Sequence, residues 1–168
     1  MVKKPKEWES YEQVAVYLLD QIAEELGLER VEGKQGVYGA DTTTTWEIDG
    51  KGVKIGDEGF VVIECRRYTK SRQNQGKLAS LAFTIQDTGA TGGILVSPLG
   101  FQEGAEKVAA ATGIQEVLMS PTSTRTDYML SFLNKVFVGV SDTIRVTEHA
   151  SVTVIRADGS REPFSFDD

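Results

Sequence analysis

The stretch GFVVIECRRYTKSR, residues 59–72, begins as an apolar run and ends in a carboxylate followed by a cluster of positive charge. Residues 60–63 are typical of a strand buried in a sheet. Because successive strand residues point to opposite faces, Glu64 and Arg66 project from one face. Cys65 faces the other side together with the apolar residues two and four positions before it. The strand therefore predicts a buried sheet whose end carries charged side chains.

The segments after this strand alternate between helical and strand patterns. Residues 71–88 have apolar residues at helical spacing and stop at Gly89, and GGILVS (92–97) is typical of a strand buried on both faces. A second helix ends at Gly113, and IQEVLMS (114–120) follows as another strand. This order predicts parallel strands joined by right-handed crossovers, that is, an α/β fold with a central mixed sheet flanked by helices in three layers.

The region before residue 59 predicts one helix and one further strand. Ser10 is a candidate N-cap with Gln13 as its capping-box partner, and apolar residues recur at helical spacing from Tyr11 to Leu26. Residues 42–49 indicate a strand, and DGKG after it is a turn signal. Residues 50–59 could then fold this strand back as an antiparallel neighbour of the strand that contains Glu64.

The C-terminal region lacks the strand–helix alternation. Pro121 marks a break, and a short helix is predicted around residues 127–134. Two or three antiparallel strands follow, with a turn at ADGS (157–160). We expect one domain over residues 1–168, with a core at 10–120 and a β-rich extension at 121–168 that is a candidate dimerisation element.

Composition excludes several classes of protein. The chain has 168 residues, 40% of them hydrophobic, a net charge of −7, one cysteine and one histidine. An internal disulfide is impossible and a structural zinc cluster is effectively excluded. No apolar run reaches the roughly 20 residues that cross a bilayer, and the N-terminus lacks the apolar stretch of a signal peptide. A cytoplasmic protein without membrane partners is the expectation. GATGG (89–93) follows a helix and opens a strand, the reverse of a dinucleotide-binding loop.

Asp49 and Glu64 could approach each other closely enough to share a divalent cation. Mg²⁺ favours a few carboxylates, with water completing its shell. Two carboxylates beside a positive side chain suit metal-assisted phosphodiester hydrolysis. Three alternatives stay open: Glu64 and Arg66 form a plain ion pair, Asp49 only begins a hairpin turn, or a different acidic residue is the first ligand. The competing acidic residues are Asp41, Glu47 and Asp57.

Asp49 with the Glu64-Cys65-Arg66 triplet resembles the signature of the PD-(D/E)xK nuclease superfamily, and its surroundings resemble the Mrr-type restriction endonuclease catalytic domain. The matching segments are YEQVAVYLL, the glycine-rich approach to Asp49, VVIECRRY, and GATGGILVSPLGFQEGAEKVAAATGI. The resemblance covers roughly residues 10–119. It implies a restriction-endonuclease-like fold and a metal-dependent endonuclease that hydrolyses double-stranded DNA, with restriction of foreign DNA as one role. Mg²⁺ is the implied cofactor, and Mn²⁺ a substitute.

The resemblance assigns roles to individual residues. Asp49 and Glu64 become metal ligands, with the Cys65 carbonyl as a third, and Glu12 matches an acidic position on the first helix. Arg66 departs from the family pattern, because it stands where the family has a lysine and holds its proton too firmly to act as a base. The candidates for a lysine that has moved are Lys70 and Lys77, and for positioning water or phosphate, Gln73 and Gln75.

The basic residues after the strand would contact the DNA backbone. They are Arg67, Lys70, Arg72 and Lys77. The alternative is that they form the solvated face of a helix. Cutting both strands with one site per chain favours a homodimer. Two other functions remain open: a degenerate nuclease-fold module that binds nucleic acid or serves as an assembly subunit, and an acidic protein-interaction domain.

Overall fold

The computed structural model describes residues 10–67, 70–121 and 128–140, and the backbone of three later strands. These are Arg145–Glu148, Val152–Ile155 and Arg161–Phe164. Tyr68, His149 and the turn predicted at residues 157–160 lie outside the described residues. None of the helices in the described part is long and apolar enough to cross a membrane.

The described residues form three α-helices, and local capping residues mark where these helices begin and end. Helix α1 spans Tyr11–Gln21 and opens with the predicted capping box between Ser10 and Gln13. Helix α2 (Gln75–Thr88) and helix α3 (Glu103–Thr112) each end at a left-handed glycine, as predicted. The prediction that the first helix continues to Leu26 is wrong in its last turn, because Ala23–Leu26 is a separate 3₁₀ helix.

The central sheet has eight strands in the order β1-β4-β5-β6-β7-β8-β9-β10. The strands of this sheet are β1 Leu28–Glu32, β4 Gly50–Lys54, β5 Phe60–Cys65, β6 Gly92–Ser97, β7 Ile114–Pro121, β8 Tyr128–Phe132, β9 Lys135–Gly139 and β10 Arg145–Glu148. Strands β5, β6 and β7 are parallel and the remaining neighbours are antiparallel. Two separate hairpins pair β2 (Gln35–Gly39) with β3 (Thr44–Ile48) and β11 (Val152–Ile155) with β12 (Arg161–Phe164).

Helices cover both faces of the sheet, so the fold has the predicted three layers. Val61, Ile63 and Cys65 pack into one core cluster with α1. Val62 packs on the opposite face with residues of α2 and α3. The predicted alternation along β5 is therefore confirmed, and it sends Glu64 and Arg66 to the side of α2.

The neighbour of β5 differs from the prediction. Residues 42–49 were expected to pair with β5, but β3 pairs with β2, and it is β4 that runs antiparallel to β5. The glycines of β4 resemble a turn in sequence but serve close packing. A Cβ at Gly50 would lie 3.0 Å from Val16 of α1, and one at Gly52 would lie 2.6 Å from Val61. Small residues are therefore needed within this strand.

The short helix predicted around residues 127–134 is wrong. Residues 128–132 form β8 and turn tightly into β9 through Leu133 and Asn134, whose φ angles are 45° and 64°. Two central residues with positive φ are the geometry that suits the twist of a two-residue hairpin. Phe132 stacks on Phe137 across this hairpin with ring centroids 5.5 Å apart. The C-terminal region is β-rich, as expected, and its strands β8, β9 and β10 continue the central sheet beyond β7.

Candidate functional site

Asp49 and Glu64 come together at the carboxyl end of β5. Asp49 immediately precedes β4, and Gly50 is paired with Ile63, so the next position on each strand brings the two carboxylates side by side. The backbone N–H of Cys65 donates a hydrogen bond of 2.8 Å to Asp49 Oδ2. This bond holds the Asp49 carboxylate against the end of β5. The proximity expected from the sequence is therefore present, although β4 rather than β3 creates it.

Glu64 is a largely buried carboxylate with an electrostatic conflict. Its side chain is 17% exposed, and its Oε1 pairs with Arg66 Nη2 at 2.5 Å. Burial is the main cause that raises the pKa of Glu64, the Arg66 guanidinium opposes it, and the nearby charge of Asp49 adds to it, so that the pKa lies at about 7. Glu64 is consequently a group for which an additional positive charge nearby would be strongly favourable.

The donor set at this end of β5 suits a hard cation. Among the described residues, no group of three or more His, Cys, Asp or Glu side chains is arranged to hold a metal ion. Two carboxylates are nevertheless enough for Mg²⁺, which keeps several waters in its shell. The Cys65 thiol faces the α1 side and is 4% exposed, so the thiol is turned away from the carboxylates. Only the Cys65 carbonyl remains as a candidate ligand from that residue.

Arg66 lines two small hollows at the end of β5, and Glu64 lines one of them. One, of about 160 Å³, is lined on the α2 side by Trp46, Glu47, Glu64, Arg66, Ser80, Leu81 and Thr84. The other, of about 300 Å³, is lined by Glu12, Cys65, Arg66 and Arg67. Glu12 of α1 and Arg67 therefore lie near the candidate site. Since Arg66 is 37% exposed, its guanidinium is open to a ligand from either side.

The remaining predicted site residues lie elsewhere. Neither hollow beside Glu64 is lined by any described lysine. Lys70 is exposed in the loop after β5, and Lys77 lies in the first turn of α2 beside Arg72. The side chain of Gln75 lies against Gly104 of α3, 2.5 Å from where a Cβ would be. None of Lys70, Lys77 and Gln75 lines either of these two hollows.

The competing acidic residues differ in their positions. Asp41 lies at the far end of α2, where its N–H donates to Asp87. Asp57 lies in the short helix that follows β4, at the opposite end of that strand from Asp49. Glu47 lines the smaller hollow, but its side chain extends over Gly36 of β2. Asp49 is the acidic residue that β4 places beside Glu64.

Asp87 is a structurally important carboxylate that the sequence reasoning missed. It is 2% exposed and accepts hydrogen bonds from the N–H groups of Asp41 and Thr42, the Thr42 hydroxyl and the Trp46 indole. These donors lower the pKa of Asp87 to about 2. The bonds tie the β2–β3 hairpin to α2 and so position the strand that leads to Asp49. An acidic residue near a helix C-terminus is unfavourable unless other donors stabilise it, and this is the signal that could have revealed Asp87.

Comparisons with known proteins fit this architecture. A family model described as a restriction endonuclease, the Mrr-type catalytic domain, matches residues 7–120. No curated protein matches. A solved structure described as "Crystal Structure of Protein of Unknown Function AF1548" is 22% identical with a TM-score of 0.51, and the match covers 61% of this chain and 55% of that one. This chain thus spans little more than half the length of that protein, and the likeness concerns the fold alone.

Domains of this restriction endonuclease type generally use divalent metal ions. The match to the family model extends over well more than half of the chain and contains the whole of α1, β5, α2, β6 and α3. The chain belongs to the restriction endonuclease family with an Mrr-type catalytic domain.

Proposed function

We propose that this protein is a metal-dependent endonuclease that hydrolyses phosphodiester bonds of double-stranded DNA, with a role in restriction of foreign DNA. The observation that carries the proposal is the pair of carboxylates at the end of β5, held by the Cys65 N–H and adjoined by Arg66. Asp49 and Glu64 supply negative charge, and Arg66 supplies the positive charge that a phosphate requires.

The metal site of this proposal consists of Asp49, Glu64 and the Cys65 carbonyl, with Mg²⁺ as the natural ion and Mn²⁺ as a substitute. The raised pKa of Glu64 supports it, because a cation between the carboxylates would offset the repulsion that makes ionisation costly. When bound, a divalent cation polarises the phosphate and lowers the pKa of the attacking water. Glu12, on the other side of Arg66, is a candidate for orienting that water or the guanidinium.

Arg66 acts in this proposal on the phosphate and not on the attacking water. A guanidinium keeps its proton at any physiological pH, but it can donate two parallel hydrogen bonds to phosphate oxygens. Its present partner is Glu64. A cation that occupies the Glu64 oxygens would weaken this ion pair and release Arg66 towards the substrate.

The contact with DNA is assigned to the basic residues beyond β5, which are Arg67, Lys70, Arg72 and Lys77. The described members of this set are exposed and follow the site along the chain. The net charge of −7 leaves the rest of the surface acidic, so affinity would be concentrated at this segment. Binding should weaken steeply with salt, since phosphate contacts release counterions.

A second function is supported by the position of the lysines. Because no described lysine lines the hollows beside Glu64, the proton acceptor that the family lysine provides has no evident replacement there. A nuclease-fold module that binds nucleic acid without cutting it, or that serves as an assembly subunit, is therefore the alternative candidate.

The proposal also covers organisation and location. We assign residues 10–120 to a nuclease core and residues 121–168 to an extension within a single domain, and we place the protein in the cytoplasm. Cleavage of both strands by one site per chain favours a homodimer formed through the extension. A mass of one chain that does not change with concentration in light scattering would contradict the dimer.

A plasmid-nicking assay with Mg²⁺ or Mn²⁺ tests the function. The unaltered chain is expected to convert supercoiled plasmid to nicked and linear forms, whereas Glu64→Ala abolishes this conversion. The matched control is Glu58→Ala, because Glu58 is exposed after β4 at the other end of the sheet. Cleavage that survives Glu64→Ala would reject the site assignment.

Arg66→Lys separates the two candidate functions. If the unaltered chain cuts with neither metal and Arg66→Lys restores cutting, the degenerate module is correct. If both cut, Arg66 is sufficient for charge stabilisation. Arg30→Lys serves as the control, because Arg30 is an exposed residue of β1 that pairs with Glu29 and Glu32.

A further inference from the structure

The first turn of α2 is an open helix N-terminus beside a small hollow. The Asn74 side chain caps the helix by accepting a hydrogen bond of 3.0 Å from the Lys77 N–H. The N–H groups of Gln75 and Gly76 have no acceptor in the part of the chain that the structure describes. The first turn carries no acidic residue, whereas that of α3 carries two. The start of α2 therefore keeps its positive end uncompensated.

Basic side chains and a buried amide surround this helix end. The hollow measures about 120 Å³ and is lined by Ser71, Arg72, Gln73, Asn74 and Lys77. A single water takes up roughly 30 Å³ of liquid volume, so the hollow has room for a larger polar group. Arg72 and Lys77 are both exposed and can turn towards such a group.

Gln73 supplies the second, independent indication of a ligand. It is 3% exposed, and its backbone is fixed by hydrogen bonds to Gly100 and from Gln102. Its Oε1 is buried, and no described residue donates a hydrogen bond to it. Buried polar atoms without a partner are rare in native proteins because they cost stability. Since an amide can turn about its last torsion, Gln73 can present either its oxygen or its NH₂ group.

We propose that this hollow binds one phosphate group of a nucleic-acid strand, at a position separate from the phosphate that is cleaved. The Gln75 and Gly76 N–H groups and the Gln73 amide hold the phosphate oxygens, and Arg72 and Lys77 provide charge. Gln73 forms a parallel bridge with Phe101, which follows β6, the neighbour of β5, so the hollow lies towards the same edge of the sheet as Glu64. This inference rests on the proposed function in that the ligand is the same nucleic acid.

Gln75→Pro and Gln75→Ala form a matched pair that tests the backbone donors. Both remove the exposed Gln75 side chain, but only proline removes the N–H at the first helical position. Proline is well tolerated there, and the preceding Asn74 is extended (φ −92°, ψ 168°), as a residue before proline should be. The measurement is fluorescence anisotropy of a labelled DNA duplex in EDTA. We expect Gln75→Pro to bind about five- to tenfold more weakly than Gln75→Ala. Equal affinities would overturn the proposal, and equal melting temperatures exclude a folding defect.

Gln73→Met tests the amide by separating binding from folding. Removal of an unpartnered buried polar group should leave the melting temperature unchanged or raise it. If the amide contacts phosphate, the same substitution weakens DNA binding several-fold. An unchanged affinity would count against a role for Gln73 in binding. If the DNA affinity of Gln75→Pro also equalled that of Gln75→Ala, the proposed phosphate site would be rejected.

The source of the phosphate is distinguished by the form of the DNA. Duplexes closed by hairpins at both ends present only internal phosphodiesters, whereas linear duplexes with 5′-phosphates also present terminal groups. A Gln75→Pro defect on both indicates an internal phosphate, and a defect confined to phosphorylated ends indicates a terminal one. No binding of either duplex by the unaltered chain would overturn the site.

Binding and cleavage remain separate measurements. If the unaltered chain binds DNA with the expected difference between Gln75→Pro and Gln75→Ala but never cuts, the proposed hydrolysis fails while this phosphate site stands. If it cuts and the two variants bind equally, the hydrolysis stands and this site fails.

Discussion

Glu64 and Asp87 are two carboxylates with little exposure to water, one beside α2 and the other within it, and their pKa values are shifted in opposite directions. Asp87, at the C-terminal end of α2, accepts four hydrogen bonds from groups fixed by packing, and its pKa falls to about 2. Glu64, at the end of β5, pairs with one partly exposed arginine and lies near Asp49, and its pKa rises to about 7. The difference is that the charge of Asp87 is stabilised by four hydrogen-bond donors, whereas the cost of burying the charge of Glu64 is offset only by Arg66.

The comparison separates a structural carboxylate from a candidate functional one. At Asp87 the oxygens are already satisfied by neutral donors, so nothing further is needed to stabilise its charge. At Glu64 the charge is poorly stabilised and the neighbouring hollow is open, so a cation or a protonated group has a place to bind. Strongly perturbed carboxyls beside a cleft are typical of functional sites.

The largest expected effect is on cleavage. Glu64→Gln keeps the size of the side chain but removes the charge that a metal requires. We expect the single-turnover rate of plasmid nicking to fall by about 100-fold or more. Asp87→Asn, measured alongside at a temperature where it remains folded, should cut at a rate much closer to that of the unaltered chain. Equal losses of cleavage rate in both variants would contradict the assignment of Glu64 to the site and of Asp87 to the fold.

The same Glu64→Gln substitution should stabilise the metal-free fold at high pH. The pKa of Glu64 is higher in the folded chain than its ordinary value of 4.5, so the cost of its ionisation to folding is absent below pH 4.5, grows between pH 4.5 and about 7, and is complete above about pH 7. In EDTA at pH 8, the variant should gain at most about 3 kcal/mol in the free energy of unfolding. The gain should disappear on acidification. A loss of stability at pH 8 would show that the ion pair with Arg66 outweighs the burial of charge.

Sequence patterns predicted the face of β5 on which Glu64 lies, because that feature is local. The alternation along β5 fixes the direction of the side chain, and the flanking apolar residues fix its burial. Asp87 could not be recognised in this way, because its donors come from residues 41–46, which are distant in sequence. The same reason explains why DGKG was predicted to be a turn although Gly50 and Gly52 lie in β4. The crowding that requires glycine there comes from α1, β1 and β5, which are distant in sequence or were not predicted as neighbours.

The C-terminal region illustrates a second limit. Residues 128–139 contain apolar residues that fit both a helical and an alternating pattern over so short a segment. The structure has a tight turn at Leu133 and Asn134 that makes this segment a hairpin, yet the pair Leu-Asn is not a strong turn signal in sequence. The placement of Leu130 and Phe137 in the α1-side core supplies the stabilisation that local preference does not.

Asp87→Asn should have the opposite dependence on pH from Glu64→Gln. The pKa of Asp87 is depressed from 3.8 to about 2, so its ionised form stabilises the fold at every pH above about 4. The variant should melt several degrees lower than the unaltered chain at pH 7. This deficit should shrink as the pH falls from 4 towards 2, where Asp87 itself becomes protonated. A deficit that is constant across this range would assign the loss to packing instead of charge.

The smallest expected effect comes from removing one donor from Asp87. Trp46→Phe eliminates the indole N–H, which donates a bond of 2.6 Å to Asp87, while an aromatic ring remains near Phe83. The melting temperature should fall by about 2–4 °C, and the pKa of Asp87, followed by carboxyl NMR, should rise from about 2. Thr42→Val removes the hydroxyl donor with little change of volume, and it should raise the pKa in the same direction. If the side-chain donors lower the pKa of Asp87, the double variant that combines Trp46→Phe and Thr42→Val should have a higher Asp87 pKa than either single variant. A pKa that stays near 2 in both single variants would instead assign the depression to the two backbone N–H groups.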